Sequence, residues 1–412
     1  MTTVRLRHLA QVNPLTPAFD RVADEDELTF LPMEAVWPGN RLDITRRRTK
    51  TSVATGYTRF QDGDVLVPKI TPTFEASRAV LIGGLLGGVG AGTTELHVVR
   101  PGPHIDPRFL LYVVNTHGFL KLGEAEMYGV AGQQRVPDSF LRDLPVELPS
   151  LEEQRIIADF LDAETARMDR MMSARRSQMA FLDERLDSIR DQLFGSPSSD
   201  ALPTPLMYLT DPYRPIVYGI VQAGPEVPDG VPYIKTGDLK RLRPTSLSRT
   251  SPEIHAQYRR AAVKPGDIVM AMRASIGAVA VVPPELPEAN LTQGTARIAP
   301  AQGVSVQWLL QALQTRRVRE QCDLRAVGST FRTLNIWDLR RINVNAVSAE
   351  KQNLVTRQFS VHATRHALIQ EATQRQVSLL AERRQALITA AVAGQFDVST
   401  ASGRNVTDGV TA

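Results

Sequence analysis

Two long stretches without an internal proline or glycine constrain this chain more than anything else in it. Leu151 to Phe194 begins LEEQRIIADFLDAETARMDR and carries apolar residues at Leu161, Met168, Met172, Met179, Leu182, Leu186, Ile189 and Leu193. The steps are mostly threes and fours, or sevens where one contact is missing, which is the spacing of a narrow heptad seam on a helix with charged outer positions. Gly195, Pro197 and two serines then stop it. The second stretch runs from Ala349 to Ala393 and ends at Gly394. Roughly 40 helical residues span about 60 Å, more than a typical globular domain is wide. Two packed helices inside one core would satisfy the pattern, but a narrow seam on so long a helix favours an extended antiparallel pair.

The two stretches are in register with each other. Phe160 and Phe359 differ by 199, Glu184-Arg185 and Glu382-Arg383 by 198, and Gly195 and Gly394 by 199, while Gln154 and Gln352 both sit near a helix start. The segments ahead of them match as well. Gly63-Asp64-Val65-Leu66-Val67 parallels Gly266-Asp267-Ile268-Val269-Met270 at an offset of 203, as Phe30-Leu31 does Tyr233-Ile234. Phe109-Leu110-Leu111 parallels Trp308-Leu309-Leu310 at 199, and Gly132-x-x-Arg135 loosely matches Gly328-x-x-x-Arg332. One such match is chance; the same order at nearly constant offset reads as a whole-module repeat, globular, helix, globular, helix. The boundaries are 1–150 globular, 151–196 helix, 197–347 globular, 348–396 helix and 397–412 a flexible tail.

Both globular parts read as mixed α/β, with strands of about five residues bounded by Gly, Pro, Asp or Asn, and with short helices at Leu110–Thr116 and Trp308–Arg316. No strand–helix alternation is long enough for a doubly wound sheet. The fold class expected is therefore α+β: two mixed α/β domains separated by two long antiparallel coiled-coil helices in a pseudo-twofold repeat.

The formal charge of +4 is unevenly spread. Residues 1–150 carry 16 Lys and Arg against 17 Asp and Glu, whereas residues 201–346 carry 18 against 11. The latter is the footprint of a polyanion binder; in the former, Arg46, Arg47, Arg48 and Lys50 form one dense cluster. A single cysteine, Cys322, excludes an internal disulfide and a cysteine-built metal site. With no signal peptide visible and no apolar run long enough to span a bilayer, a cytoplasmic protein is expected.

Three local strings carry a family resemblance. They are a Gly-Asp strand followed by a cation (Lys69; Arg273 in MAMRASIG), a Gly-Ser turn before the last strand (GSTFRTLNIWDL), and a proline-flanked strand entering an x-Glu-Gln helix start (LPVELPSLEEQRIIADFLD). Together with the layout, they resemble the specificity (S) subunit of type I restriction–modification systems. The second helix entry, INVNAVSAEKQ, departs from the pattern by lacking the prolines. The resemblance implies two target-recognition domains, each followed by a helical spacer. It implies a host-defence function in which each domain reads one part of a split, asymmetric double-stranded DNA target and the helices fix the gap. It also implies partners: methyltransferase (M) subunits, two of them, that modify adenine, and restriction–translocase (R) subunits. S-adenosylmethionine, ATP and Mg would belong to those partners, with no cofactor, metal or catalytic residue in this chain.

DNA reading needs cations for phosphates and planar donors or amides for base edges. The first domain offers Arg46, Arg47, Arg48, Lys50, Arg59, Lys69 and the turn Gln133-Gln134-Arg135. The second offers Lys235, Lys240, Arg241, Arg243, Arg259, Arg260, Arg273, Ser275, Thr330 and Arg332. A lone surface arginine is as a rule merely solvated, so clusters weigh more, and Gln133-Gln134 reads equally as a polar turn. Met168, Met171, Met172 and Met179 either fill the seam or form a docking face.

Enzyme readings find little support. Gly88-Val89-Gly90-Ala91-Gly92 reads as a glycine-rich turn, because a phosphate-cradling loop should open a helix and a β-like stretch follows instead. Asp211-Pro212-Tyr213 lacks one proline of the adenine-methyltransferase motif. His362 and His366 have chelating spacing, but a solvated or partner-facing helix surface fits them better. Two rival classes stay open, a coiled-coil scaffold with incidental cations and an undetected nucleic-acid-modifying enzyme.

Overall fold

The structure is a computed structural model that describes residues 2–130, 132–196, 201–329 and 332–398. Its contacts divide the chain into two units, residues 1–177 with 373–412 (unit 1) and residues 178–372 (unit 2). The two proline- and glycine-free stretches form continuous helices, Leu151–Arg190, closed by a π turn over Asp191–Gly195, and Ala349–Val392. Each unit takes in one end of both. Every seam position expected in the first helix is buried or half-buried. Of the four methionines only Met171 is exposed, so the other three serve the seam.

The helix entries follow from capping chemistry. Ser150 Oγ accepts from the Glu153 N–H, while the Glu153 carboxylate accepts from the Ser150 N–H at 2.8 Å. That reciprocal box satisfies two donors that would otherwise be orphaned. At the second helix Ser348 Oγ accepts from the Lys351 N–H at 3.3 Å, so only the serine half of the box recurs.

In unit 1 the strand Thr2–Arg5 pairs antiparallel with Pro145–Leu148, which lies just ahead of the first helix. Two four-stranded sheets follow. One has the order Arg47–Thr49, Glu27–Leu31, Val89–Gly92, Thr58–Gln61, and the other Ala10–Val12, Leu96–Pro101, Val65–Pro68, Val80–Leu81. Phe109, Leu110 and Leu111 of the helix Pro107–Val113 share a core with Ile157, Leu161 and Met168 of the first long helix and with Leu387, Ile388 and Ala391 of the second. Within this unit the two long helices run in opposite directions: Asp169 pairs with Arg384, and Phe160 meets Phe396 at 5.9 Å.

Two expectations need correction here. Gly88–Gly92 is not a turn. Only Leu86–Gly88 turns, and Val89–Gly92 is a buried inner strand, parallel to Glu27–Leu31 and antiparallel to Thr58–Gln61. The glycines are there because a Cβ on Gly90 would lie 2.5 Å from the Phe60 ring and one on Gly92 2.4 Å from the Leu31 carbonyl oxygen. The short helices expected at Leu110–Thr116 and Trp308–Arg316 lie a few residues earlier, at Pro107–Val113 and Val306–Leu313, and each is followed by a second, His117–Ala125 and Arg316–Arg325. Asp106, Thr116 and Ser305 cap their helices through side-chain oxygens.

Unit 2 opens and closes in a similar way, with a first strand paired to the one ahead of its long helix. Leu202–Pro205 pairs with Asn343–Ala346 ahead of the second long helix. A four-stranded sheet (Val217–Tyr218, Thr295–Ile298, Ile268–Ala271, Val279–Val281) lies with a three-stranded one (Arg249–Thr250, Val231–Ile234, Asn290–Leu291). Trp308, 1% exposed, sits in a core with Phe194, Val355 and Phe359. Here too the long helices are antiparallel, with His366 on Asp183 at 2.8 Å and Phe359 against Phe194 at 5.5 Å. His366 thus faces the other helix rather than solvent, with its side chain 14% exposed.

The Gly-Asp strand signal proves to be scaffolding. Gly63 and Gly266 adopt φ of 88° and 85°, a conformation that favours glycine. The aspartates that follow are buried. Asp64 accepts the Gln61 N–H at 2.9 Å and a two-pronged contact from Arg100 at 2.7 and 2.9 Å. Asp267 accepts the Lys264 N–H at 2.8 Å and a two-pronged contact from Arg214. The arginine comes from a different element in each unit, which is why no sequence offset revealed it.

One buried residue per unit fastens the globular part to its helix. Gln154, 0% exposed, accepts the Asp106 N–H through Oε1 at 2.8 Å and donates through Nε2 to the carbonyls of His104 (3.1 Å) and Pro149 (3.0 Å). Gln352 accepts the Ser305 N–H at 2.8 Å and donates to the Val347 carbonyl at 3.0 Å. A buried group left without its partner costs about 1–3 kcal/mol, so Gln154→Leu should lower stability by at least about 2 kcal/mol, seen as a drop in the urea midpoint at constant m. Asp64→Ala strands a largely buried guanidinium and should cost about 3 kcal/mol, checked by the same titration. If Gln154→Leu unfolds with the wild type, the glutamine is not the fastening described here, and if Asp64→Ala does, the Asp64–Arg100 pair does not hold the Gly-Asp turn.

Candidate nucleic-acid interface

The structure places the cations of the two units in different electrostatic settings. In unit 1 most are already engaged. Arg46 pairs with Glu34 at 3.0 Å and Asp43 at 3.2 Å. These contacts hold Glu34 below the usual carboxylate range, through its own backbone N–H first and Arg46 second, and raise Arg46. Arg47 donates to Thr29 Oγ1 at 3.1 Å and to the Ile44 carbonyl. Arg48 lies 4.2 Å over the Phe30 ring and donates to the Tyr57 hydroxyl. Lys50 binds Asp24 at 3.1 Å and the Val22 carbonyl at 2.6 Å. Arg59 binds Asp20 at 3.3 Å and stacks on Phe19. Of the unit 1 candidate cations, Lys69 alone has no side-chain hydrogen bond or ion pair among the described residues.

In unit 2 the reverse holds. Lys240, Arg241, Arg243, Arg259, Arg260 and Arg273 are all exposed, and none makes a side-chain hydrogen bond or ion pair among the described residues. Local packing explains the exposure of the first cluster. Leu239, Leu242 and Leu247 turn into a core cluster with Ile234 and Val263, which leaves the cations between them outward. Arg259 and Arg260 form a single 3-10 turn before the buried Ala261. Lys235 donates to Ser248 Oγ at 2.6 Å and lies 5.2 Å over Tyr233, and Arg332 pairs with Asp323 at 3.4 Å. Ser275 is exposed beside Ala274, which takes φ of 58°. Thr330 lies outside the described residues.

The turns near each unit's last strand form small hairpins. Tyr128 and Arg135 bridge each other, and Arg135 also bridges Ile70; in unit 2 Val327 bridges Thr333, and Thr333 bridges Arg273. This corrects two pairings read from the sequence. The residue in the place of Arg135 is Thr333, not Arg332, and the residue in the place of Arg273 is Ile70, not Lys69. The matching glycines are Gly129 and Gly328, at φ of 121° and 109°. Arg135 clamps Glu95 with two contacts, at 3.0 and 2.8 Å, and that bonding depresses the Glu95 carboxyl. Gln134 uses its backbone to bond Thr71, while Gln133 is exposed.

Sequence reasoning missed the apolar side chains on these hairpins. Tyr128 (61% exposed) and Val130 (72%) flank Gly129, and Val327 (70%) precedes Gly328. A bulky apolar residue next to a glycine, as in Tyr128-Gly129-Val130 and Val327-Gly328, was the available signal. It also missed an open groove of about 320 Å³ lined by Val217, Tyr218, Tyr258, Arg260 and Ile336. Cys322 is buried and its thiol is pushed up to about 12 by desolvation, so it is a core residue. Among the described residues no three His, Cys, Asp or Glu side chains gather as a metal site, and no helix is long and apolar enough to cross a membrane.

No protein-family model matches the chain. It is 40% identical over 162 residues to the specificity subunit of the Escherichia coli type I restriction enzyme EcoEI, and 41% identical over 160 residues to that of EcoAI. Each match covers 38% of this chain and 26% of the relative, so the shared stretch is about a quarter of those proteins. A chain solved in a study of complex assembly and conformational transition of the type I R-M system covers 96% of this chain and 98% of its own length, with a TM-score of 0.73 at 18% identity. In sequence over the matched stretch, the chain is similar to type I restriction enzyme specificity subunits, and over nearly its whole length it has the fold of a type I restriction–modification chain.

Proposed function

We propose that this chain is a DNA-specificity subunit of a type I restriction–modification complex. It reads an asymmetric bipartite target and directs adenine methylation or cleavage by partner subunits, and it performs no chemical step itself. The observation that carries the reading is the layout: an α/β unit fastened by a buried glutamine to the start of a long helix, twice, in a chain similar to curated specificity subunits. In this reading the two modules are a pseudo-twofold repeat and the two helices are antiparallel coiled-coil spacers. The opposed direction of the helices within each unit supports that.

The candidate contacts in this reading are Arg46, Arg47, Arg48, Lys50, Arg59, Lys69, Gln133 and Arg135 for one part of the target. For the other they are Lys235, Lys240, Arg241, Arg243, Arg259, Arg260, Arg273, Ser275, Thr330 and Arg332. Methyltransferase subunits dock on the long helices. Leu354, Val361 and Leu368 are exposed at intervals of seven on the second helix, an apolar stripe of the kind a partner helix would cover.

The spacer role has a direct test. Four residues add about 6 Å of helix, close to two base-pair steps. Inserting four residues within Ala166–Ala180, with four in the facing stretch of the second helix, should lengthen the methylated target's gap and leave both half-sites unchanged. The readout is the map of methylated adenines in DNA from cells making the variant with its cognate methyltransferase. A change in half-site identity would contradict the division of labour. Methyl transfer or cleavage by the purified chain alone would contradict the non-catalytic reading.

A further inference from the structure

We propose that unit 2 is the phosphate-anchoring half of the chain, and that unit 1 meets DNA with four of its seven candidate cations, Arg46, Lys50, Arg59 and Arg135, already neutralised by its own carboxylates. The inference rests on the DNA-binding reading above and adds which half supplies the electrostatic affinity, and through which residues.

The physical argument concerns net charge at the contact. A free surface cation that replaces counterions on a phosphate favours association and adds about 0.9 to the salt slope on duplex DNA. A cation paired with a carboxylate is one half of a neutral couple. To reach a phosphate it must leave the carboxylate, which then sits uncompensated near another anion, so its net contribution to counterion release approaches zero. Arg46, Lys50, Arg59 and Arg135 are all in such couples, with Glu34 and Asp43, Asp24, Asp20 and Glu95. Arg47 and Arg48 are held by Thr29, carbonyls, Phe30 and Tyr57. Lys240, Arg241, Arg243, Arg259, Arg260 and Arg273 carry no such partner among the described residues.

Unit 2 also fixes one of its cation turns from behind. Arg297 is 3% exposed and has no carboxylate partner among the described residues. It donates through Nη1 to the carbonyls of Arg260 (2.8 Å) and Ala262 (2.7 Å) and through Nη2 to that of Pro215 (3.2 Å). These bonds hold the Arg259–Arg260 turn in place. They also set a buried positive charge directly behind two exposed ones, where the low dielectric strengthens its field. A turn with this construction suits a sequence-independent polyanion, the sugar–phosphate backbone.

The experiment is a salt titration of the full-length chain on a 40-base-pair DNA duplex of arbitrary sequence, followed by fluorescence anisotropy. The triple variant Lys240→Gln, Arg241→Gln, Arg243→Gln should lower the slope of log K against log salt by about 2.7, three contacts at about 0.9 each. Arg259→Gln with Arg260→Gln should lower it by about 1.8 on the same basis. Arg46→Gln, Arg59→Gln, Arg135→Gln, all three paired with carboxylates, should change it by less than about 1. Conversely, Asp20→Asn with Glu95→Gln frees Arg59 and Arg135 and should steepen the slope. All these side chains are on the surface, and matching far-ultraviolet circular dichroism and thermal midpoints show that the variants fold. If the unit 1 triple flattens the slope as much as the unit 2 triple, the anchoring assignment is overturned while the DNA-binding reading stands. If the wild-type chain binds the duplex with no salt dependence, or not at all, the DNA-binding reading itself fails.

Discussion

The hydrogen bonds of one buried glutamine in each unit underlie everything else. Gln154 and Gln352 each sit within the first turn of a long helix and satisfy backbone groups on the loop that opens a short helix of the globular part. A long helix can act as a spacer only if its end is fixed to what it spaces, and a seam of leucines and methionines cannot do that, because hydrophobic contact is non-directional. Hydrogen bonds to particular N–H and carbonyl groups are directional. In the buried setting their alternative is an unsatisfied polar group, which keeps the joint closed. The aromatic pairs Phe160 with Phe396 and Phe359 with Phe194 lie one to two turns further along and add apolar area to the same joints.

The Gly-Asp turn is the second structural constraint. In both units a positive-φ glycine and a buried aspartate fix the start of an inner strand, and the aspartate's charge is met by an arginine. Buried pairs of this kind gain little over an apolar core but are costly to break, so they secure one arrangement of strands more than they add stability. The surface charges obey a different balance. Unit 1 spends four of its candidate cations on its own carboxylates, and unit 2 leaves six of its own exposed. The segment charges of the sequence, near zero and strongly positive, have this structural counterpart.

Much of the architecture was legible in the chain. The two helices were visible because proline and glycine are absent and the seam keeps its period, both local properties. The order of elements was visible because the same marks recur at offsets of 198 to 203. The glycine run at 88–92 was misread because the reason for those glycines, a phenylalanine ring and a neighbouring strand's carbonyl pressing on them, comes from residues 60 and 31. The mispaired Lys69 and Arg135 were errors of one to a few residues. The offset of 203 carried on from the Gly-Asp marks already sets Arg273 opposite Ile70, and 198 sets Thr333 opposite Arg135; matching by residue type instead of by offset caused both errors, and the backbone bridges show the register.

The sequence by itself determined the helix lengths, the capping serines, the class of the globular parts and the surplus of positive charge in the third segment. These depend on neighbours within a few residues along the chain, or on simple counting. Only the tertiary structure decided which cations are free, which arginine answers each buried aspartate, and what the two glutamines hold. Each of those is a pairing between residues tens to hundreds of positions apart. Its energy depends on distance and solvent exposure, and neither quantity is written in the order of the residues.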